Sequence, residues 1–209
     1  MEVTNPDLAR LKQLPLLRGL SEADLQMVLA EGRLRSLGED EFIFYQGDPA
    51  GHVYVLLDGQ IKLAQLTPDG QQVILNMIGA GEVFGLIAFT QGRVYPVSAQ
   101  AESAVRVLSW DREALARISS RYPQVSLNAV GLMAEKVGEF QGQIRALATE
   151  RVERRLARAL LRLTRQVGKK TAGGVLIDLN ITRQDLAEMS GTTLFTVSRL
   201  LSQWERQGL

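Results

Sequence analysis

The chain has 209 residues, of which 45% are hydrophobic and 22% are charged, so it can bury one or two hydrophobic cores unaided. It has no cysteine and one histidine, His52, which excludes disulfides, iron–sulfur clusters and zinc fingers. An enzyme on a cupin-like barrel is disfavoured because its metal needs several His and carboxylate ligands. We therefore expect no enzymatic activity, no metal and no cofactor.

The formal net charge of +1 is the average of two unlike parts. Residues 150–209 hold 11 Lys and Arg against 6 Asp and Glu (net +5), and residues 1–149 hold 13 against 17 (net −4). A basic end suits a nucleic-acid partner. No apolar run approaches the roughly 18 residues of a membrane span, and the first residues lack a signal-peptide layout. We expect a cytoplasmic protein with no membrane partner.

Two short helices are predicted before the main body of the chain, at residues 7–14 and 21–31. Ser21 stands three residues before Asp24, the spacing of an N-terminal cap that satisfies a free helix amide. We expect both helices to pack at the edge of the unit that follows them.

Residues 41–109 show short apolar runs separated by glycines 12, 11, 11 and 11 residues apart, at positions 47, 59, 70, 81 and 92. This even spacing predicts an all-β sandwich or jelly-roll barrel. Alternation with period two predicts that each strand has one core face and one solvent face. The predicted core residues are Val53, Val55, Leu57, Ile61, Leu63, Val73, Leu75, Met77, Val97, Ala99, Ala101, Val105 and Val107.

The apolar period changes after residue 123 to steps of 3, 4, 3, 4 and 3, which predicts a long helix with a heptad seam. A helix packed only on its own domain usually has a wider apolar stripe, so the seam favours a parallel, two-fold homodimer. Gly138 and Gly142 are candidate soft points of this helix. The predicted seam residues are Val130, Met133, Val137, Phe140, Ile144 and Leu147.

A second helix is predicted over residues 150–166, with apolar residues on one face and six arginines mostly on the other. A basic face of this kind is usually solvated, and a phosphate-facing role stays open beside it. A turn-rich loop over residues 168–174 and a short strand over residues 175–179 are predicted to follow.

Residues 182–209 predict two helices separated by Gly191, the arrangement of a helix-turn-helix. Thr182 caps the first helix together with Asp185, and Thr192 or Thr193 caps the second. The predicted core between them is Leu186, Ala187, Val197, Leu200, Leu201 and Trp204. Polar groups that suit phosphates and base edges occupy the outer face, at Thr192, Thr193, Thr196, Ser198, Arg199 and Gln203.

Five segments together carry a family resemblance: GDPAGHVYVLLDGQIKL (47–63), LTPDGQQVIL (66–75), GEVFG (81–85), YPVSAQA (95–101) and ITRQDLAEMSGTTLFTVSRLL (181–201). They resemble the Crp/Fnr superfamily of bacterial transcription regulators, named for the cyclic-AMP receptor and the fumarate–nitrate regulator. The resemblance implies an α+β protein with a jelly-roll sensor over residues 1–120, a coiled-coil dimerisation helix over 121–149 and a winged helix-turn-helix over 150–209. Members usually continue into a β-hairpin wing, which this sequence lacks.

The resemblance implies that the protein binds a two-fold symmetric double-stranded DNA operator as a homodimer and works with RNA polymerase. Family members hold phosphates at the positions of Thr182, Arg183, Gln184 and Thr193. They face the major groove at those of Leu194, Phe195, Ser198 and Arg199, where Arg199 is expected to bond a guanine. Many members have Glu where this chain has Phe195, which either packs on a thymine methyl or is a partly exposed helix residue.

In members that bind cyclic AMP, a Glu holds the ribose and an Arg-Ser pair holds the buried phosphate. Leu86 occupies the Glu position here, and the Arg-Ser positions fall on Pro96-Val97 or Val97-Ser98, depending on where the alignment gap is placed. The resemblance therefore implies a degenerate effector pocket and no response to cyclic AMP. The predicted pocket residues are Gly85, Leu86, Arg93, Pro96, Val97 and Ser98.

Several sensing modes stay open. The protein is either competent for DNA without an effector, and regulated by its own abundance, or binds an unidentified small apolar or anionic effector. Haem sensing through His52 is a further alternative. A nucleotide-responsive module acting on another protein is disfavoured, because the phosphate-binding Arg is missing.

Overall fold

The computed structural model describes residues 11–177 and 181–208. The first eight strands form the N-terminal part: β1 Arg33–Leu37, β2 Phe42–Phe44, β3 His52–Asp58, β4 Ile61–Leu66, β5 Gln72–Ile78, β6 Val83–Phe84, β7 Ser98–Ala101 and β8 Val105–Asp111. The helices and the last two strands are α1 Glu22–Ala30, α2 Arg112–Arg121, α3 Pro123–Thr149, α4 Val152–Gln166, β9 Gly168–Thr171, β10 Gly174–Ile177, α5 Arg183–Ser190 and α6 Leu194–Arg206. The first half of the helix predicted over residues 7–14 lies outside the described residues.

Two four-stranded antiparallel sheets, ordered β1-β8-β3-β6 and β2-β7-β4-β5, form the predicted jelly roll. It begins at residue 33 and not at residue 41. Helix α1 starts after Ser21, whose Oγ accepts a hydrogen bond from the Asp24 amide at 3.2 Å, as predicted. The Trp110 Nε1 donates to the Val28 carbonyl at 2.8 Å, which holds α1 against strand β8. The α+β fold class is confirmed.

The prediction of one solvent face per strand is wrong for the central strands. Val53 to Leu57 are all buried in β3, because helices and the facing sheet cover both of its sides. In β5 the buried residues include Ile74 and Met77, whereas Val73 and Leu75 are only half-buried. Alternation holds in β7, an inner strand of the second sheet.

Helix α3 runs unbroken through 27 residues. Near its start, Val125 and Ala129 are buried against the jelly roll. The Asn128 Nδ2 donates to the carbonyls of Leu16 and Arg18, at 3.0 and 2.9 Å. These contacts fix the first turns of α3 on the segment that precedes α1, and most residues in the second half of α3 are exposed.

The region predicted as a loop over residues 168–174 is instead half of a hairpin, in which β9 pairs antiparallel with β10. Strand β10 ends at Ile177, and the predicted continuation to residue 179 lies outside the described residues. Both strands of the hairpin contact α4. The chain turns so tightly after α4 that a Cβ at Gly168 would lie 2.2 Å from the Thr164 carbonyl oxygen, four residues earlier.

A second hydrophobic core lies between α4, α5, α6 and the jelly-roll strand β5. Its buried residues are Ile74, Met77, Leu156, Leu163, Val167, Leu186, Ala187, Val197 and Leu200. Helices α4 and α5 therefore pack directly on the jelly roll, and α6 completes the shared core with Val197 and Leu200. No helix in the described part of the chain is long and apolar enough to cross a membrane.

Candidate nucleic-acid interface

Helix α5 begins with a complete capping box, as predicted. The Thr182 Oγ1 accepts from the Asp185 amide at 3.1 Å, and the Asp185 carboxylate accepts from the Thr182 amide at 2.7 Å. The cap uses the Thr182 hydroxyl, which also donates to Asp185 at 2.7 Å. The amides of Arg183 and Gln184, in the first turn, have no partner within the helix and lie at its positive end.

Gly191 ends α5 with a φ of 62°, a left-handed conformation that favours glycine. A Cβ at this position would lie 2.6 Å from the Leu147 Cδ2 of helix α3, so a side chain here would require Leu147 to move. Thr193, and not Thr192, caps α6, because its Oγ1 accepts from the Thr196 amide at 3.3 Å. The turn between the two helices is therefore fixed at both ends and lies against α3.

The Arg155 guanidinium holds this turn from the other side, a role that the sequence analysis missed. It donates to the carbonyls of Ser190 at 2.9 Å, Gly191 at 3.0 Å and Glu150 at 3.2 Å. One side chain thus connects the start of α4 with the turn of the helix-turn-helix. Arg155 stands one turn before the buried Ala159, at the border of the apolar stripe of α4. That position could have indicated that its side chain packs against the protein and does not point into solvent.

The remaining arginines of α4 have mixed surroundings. Arg158 forms an ion pair with Glu150 at 2.9 Å, and Arg162 is partly buried, which lowers its pKa. Arg151, Arg154 and Arg165 are exposed. Four of the six arginines are therefore exposed, as expected for a solvated face, whereas Arg155 and Arg162 are half-buried.

The predicted contact between α5 and α6 is present: Leu186, Ala187, Val197 and Leu200 are buried, and Leu201 and Trp204 are half-buried. This packing turns the opposite face of α6 outward. Phe195, Arg199 and Gln203 stand four residues apart, so they form one exposed stripe along α6. Phe195 is 77% exposed, the largest value among the exposed large hydrophobic residues of the described chain.

The predicted DNA-facing residues divide into two groups by exposure. Half-buried residues are Thr192, Thr196 and Ser198, and exposed residues are Thr182, Arg183, Gln184, Thr193, Leu194, Phe195, Arg199 and Gln203. The Thr193 hydroxyl belongs to a helix cap, and the Gln184 Nε2 donates to Glu188 at 3.1 Å. Arg183 and Arg199 give this surface two exposed cations, one on each helix.

An aromatic cluster fills the interior of the jelly roll beside the predicted effector positions. The Phe44 and Tyr95 rings stack at 3.7 Å between centroids, and those of Tyr54 and Phe84 stack at 5.0 Å. The Tyr95 hydroxyl accepts from the His52 amide at 2.9 Å and donates to the His52 carbonyl at 2.7 Å. Burial raises the pKa of both tyrosines, so they stay protonated.

The predicted pocket residues do not bring a cation into this interior. Arg93 and Pro96 are exposed, Leu86 and Val97 are half-buried, and the Ser98 Oγ accepts from the Gln46 amide at 2.9 Å. Gly85 has a φ of 74°, and a Cβ there would lie 2.9 Å from the His52 carbonyl oxygen. Tyr95 was not among the predicted pocket residues, although it stands in the YPVSAQA segment between Arg93 and Pro96.

His52 begins strand β3, with its ring centroid 5.8 Å from that of Tyr54. It is half-buried, and burial lowers the pKa of its imidazole, while the charge of Asp111 acts in the opposite direction. Its main-chain groups are both bound by Tyr95. The side chain is thus a mostly neutral member of the aromatic cluster at pH 7.

The predicted seam of α3 is mostly uncovered in the chain. Five of its residues are 43–67% exposed: Val130, Val137, Phe140, Ile144 and Leu147. Met133, the sixth seam residue, is only partly exposed, because it packs against the jelly-roll core. Leu127, one turn before the seam, is also exposed. Such a row of exposed apolar side chains is the usual sign of an interaction surface.

Comparison with known proteins gives the class of the protein. Residues 34–122 match the cyclic nucleotide-binding domain family, and residues 154–209 match the Crp-like helix-turn-helix domain family. The cyclic AMP receptor protein of Thermus thermophilus is 30% identical over 199 residues, 95% of this chain and 89% of that protein. The global nitrogen regulator of Nostoc sp. is 32% identical over 163 residues, 76% and 72% of the two chains.

A solved structure supports the same class. FixK2 from Bradyrhizobium japonicum has a TM-score of 0.73 and 28% identity, and the match covers 85% of this chain and 86% of that one. Fold and comparisons define a transcription regulator with a cyclic nucleotide-binding-like domain and a DNA-binding helix-turn-helix, and the relatives are regulators, not enzymes. The chain belongs to the Crp/Fnr superfamily, as its motifs predicted.

Proposed function

We propose that this protein is a homodimeric, sequence-specific DNA-binding regulator that does not respond to cyclic AMP. The observation that carries the proposal is the outer surface of α5 and α6, which is polar and cationic apart from Leu194 and Phe195 and faces away from the core. The working units are the sensor over residues 1–120, the dimerisation helix over 121–149 and the DNA-binding unit over 150–209.

On DNA, the first turns of α5 and α6 bind phosphates through their free amides and through Arg183, with Thr182, Gln184, Thr192 and Thr193 beside them. The stripe along α6 enters the major groove, where Arg199 forms a bidentate hydrogen bond with a guanine. The other groove-facing residues are Leu194, Phe195, Thr196, Ser198 and Gln203. RNA polymerase, as a further partner, and a cytoplasmic location follow from the class of protein.

Binding to operators selected from a two-fold symmetric promoter library tests this function. Replacing both Arg183 and Arg199 with Ala should weaken operator binding at least about 100-fold, because a bidentate base contact is worth about 1–3 kcal/mol in each half-site. The control variant, with Arg18→Ala and Arg93→Ala, loses the same charge from the jelly-roll part and should bind normally. Unchanged operator affinity of the Arg183/Arg199 variant would contradict the proposed function.

Dimerisation through α3 is supported by the five exposed seam residues. Replacing Val137 and Ile144 with Asp should convert the dimer to a monomer, because charges would enter an apolar helix contact. Sedimentation equilibrium measures the change. Leu161→Asp, at an exposed apolar position of α4, is the control and should stay dimeric. A wild-type protein that is monomeric at operator-binding concentrations would contradict the proposal.

The lack of response to cyclic AMP is supported by the aromatic cluster and by the exposed position of Arg93. Calorimetric titration should show no binding of cyclic AMP, and operator affinity should not change in its presence. Tight binding would overturn this part of the proposal. Mass spectrometry and absorption spectroscopy of protein purified from its own host would detect another effector, including haem.

A further inference from the structure

Strand β5 closes one side of the hydrophobic core of the helix-turn-helix unit. Ile74 and Met77 are 3% and 2% exposed, and they share that core with residues of α4, α5 and α6. Both α4 and α5 contact β5. Because β5 lies at the edge of its sheet, the C-terminal helices cover a strand that would otherwise be open to solvent. We call this packing the interdomain contact.

Backbone and polar contacts fix the position of the interdomain contact. The Gln166 Nε2, at the end of α4, donates to the Asn76 Oδ1 at 2.6 Å. A Cβ at Gly79, just after β5, would lie 2.1 Å from the Gln166 carbonyl oxygen, so only glycine fits there. The Glu82 carboxylate accepts from the Gly79 amide at 2.8 Å, which holds the turn that makes this approach.

The interdomain contact leaves the proposed DNA surface free. Helix α6 places Val197 and Leu200 in the shared core, while Phe195 and Arg199 stay exposed on its opposite side. The contact therefore sets the orientation of α6 relative to the jelly roll without covering the residues that would bind bases. In a dimer joined through α3, the same contact on each chain would set the distance and angle between the two α6 helices.

We propose that Ile74, Met77 and Gly79 are positioning residues for operator recognition, which hold the helix-turn-helix unit on β5 and so set the half-site spacing that the dimer accepts. This rests on the dimeric DNA-binding function proposed above. It adds a direct route within one chain from the jelly roll to the reading helix, alongside the route through α3. A fixed orientation also reduces the rotational freedom that is lost when both half-sites are bound.

Gly79→Ala tests the proposal, because its Cβ would push the Gln166 carbonyl away. The backbone of Gly79 lies outside the left-handed region, so alanine fits the jelly roll itself. Operators with half-sites at the preferred spacing, and at spacings changed by one or two base pairs, rotate one half-site by roughly 34° per base pair. We expect the affinity at the preferred spacing to fall about tenfold, with single half-site binding unchanged.

Two sets of control variants separate a positioning role from a general loss of stability. Gly51→Ala, whose nearest neighbour would be an ordinary 3.8 Å contact, should keep the wild-type spacing preference. Ile74→Asp should lose the preference, Ile74→Val should keep it, and Leu66→Asp, at an exposed position of the same hairpin, should also keep it. Wild-type spacing preference in both folded variants, Gly79→Ala and Ile74→Asp, would overturn the proposal.

The absence of cysteine allows a direct test of the docked arrangement. With Asn76→Cys and Gln166→Cys, a short bis-maleimide, to which each thiol adds, should join the two positions within one chain, and the cross-linked protein should keep operator affinity and spacing preference. Failure to cross-link, or loss of operator binding on cross-linking, would contradict the proposal. If the double-cysteine variant cross-links but the wild-type protein binds no operator, the proposed function is wrong, and the positioning role falls with it.

Discussion

At the scale of single residues, Tyr95 and Arg155 each hold main-chain groups of other segments. Tyr95 binds both main-chain groups of His52 while its ring stacks on Phe44. Arg155 binds three carbonyls around the start of α4 and the turn after α5. Both side chains connect segments that are distant in sequence, so their replacement should affect more than their own element.

We expect Tyr95→Phe to lower the free energy of unfolding by about 1–3 kcal/mol, because two main-chain groups in the interior lose their partner. Urea unfolding followed by circular dichroism measures this change. Tyr45→Phe is the matched control, since Tyr45 is 55% exposed and should change stability by less than about 0.5 kcal/mol. Equal effects of the two substitutions would refute the role given to Tyr95.

Phe195 is expected to contact a thymine methyl group in the major groove. Replacing that thymine with deoxyuridine removes only the methyl and should weaken binding about fourfold per half-site, from about 0.8 kcal/mol for a buried methyl-sized group. Binding assays with deoxyuridine at each thymine in turn would locate the contact. Phe195→Ala should bind the two operators equally, and persistent discrimination by that variant would assign the contact to another residue.

At the scale of elements, the turn between α5 and α6 depends on helix α3. We expect Gly191→Ala to destabilise the protein by about 2–4 kcal/mol, combining left-handed strain of about 1 kcal/mol with overpacking against Leu147 of about 1–3 kcal/mol. Urea unfolding tests this value. Gly70 has a similar φ of +78° with open space around it, so Gly70→Ala should lower the free energy of unfolding only by the cost of the left-handed strain. An equal loss of unfolding free energy in the two variants would show that the Leu147 side chain moves aside at no cost.

At the scale of the whole molecule, operator binding should weaken steeply with salt, because phosphate contacts release counterions from DNA. Arg183→Ala should reduce the slope of log affinity against log salt concentration by about 0.9 per contact, hence roughly 1.8 in a symmetric dimer. Filter-binding titrations at several salt concentrations give this slope. Phe195→Ala should lower affinity with an unchanged slope, and a change of slope in that variant would contradict the division of roles.

Much of the fold was predictable because its signals are local. The caps at Thr182 and Thr193, the break at Gly191 and the apolar stripes of α3, α4 and α6 all depend on spacings of a few residues. The motif of the DNA-reading helices followed from the same spacings. The strand of β10 was predicted, but β9 was missed, because Gly168–Thr171 has weak strand propensity and is a strand only through its pairing with β10.

The order of the elements, the family and the helix-turn-helix motif could be read from the sequence, since periodicity, caps and turn glycines act over short distances. The contacts between distant segments could not. The tertiary structure placed Tyr95 inside the jelly roll, Arg155 across the turn, and Ile74 and Met77 of β5 in the core of the helix-turn-helix unit. The physical reason is that each of these burials depends on a partner from a distant part of the chain, which no local pattern specifies.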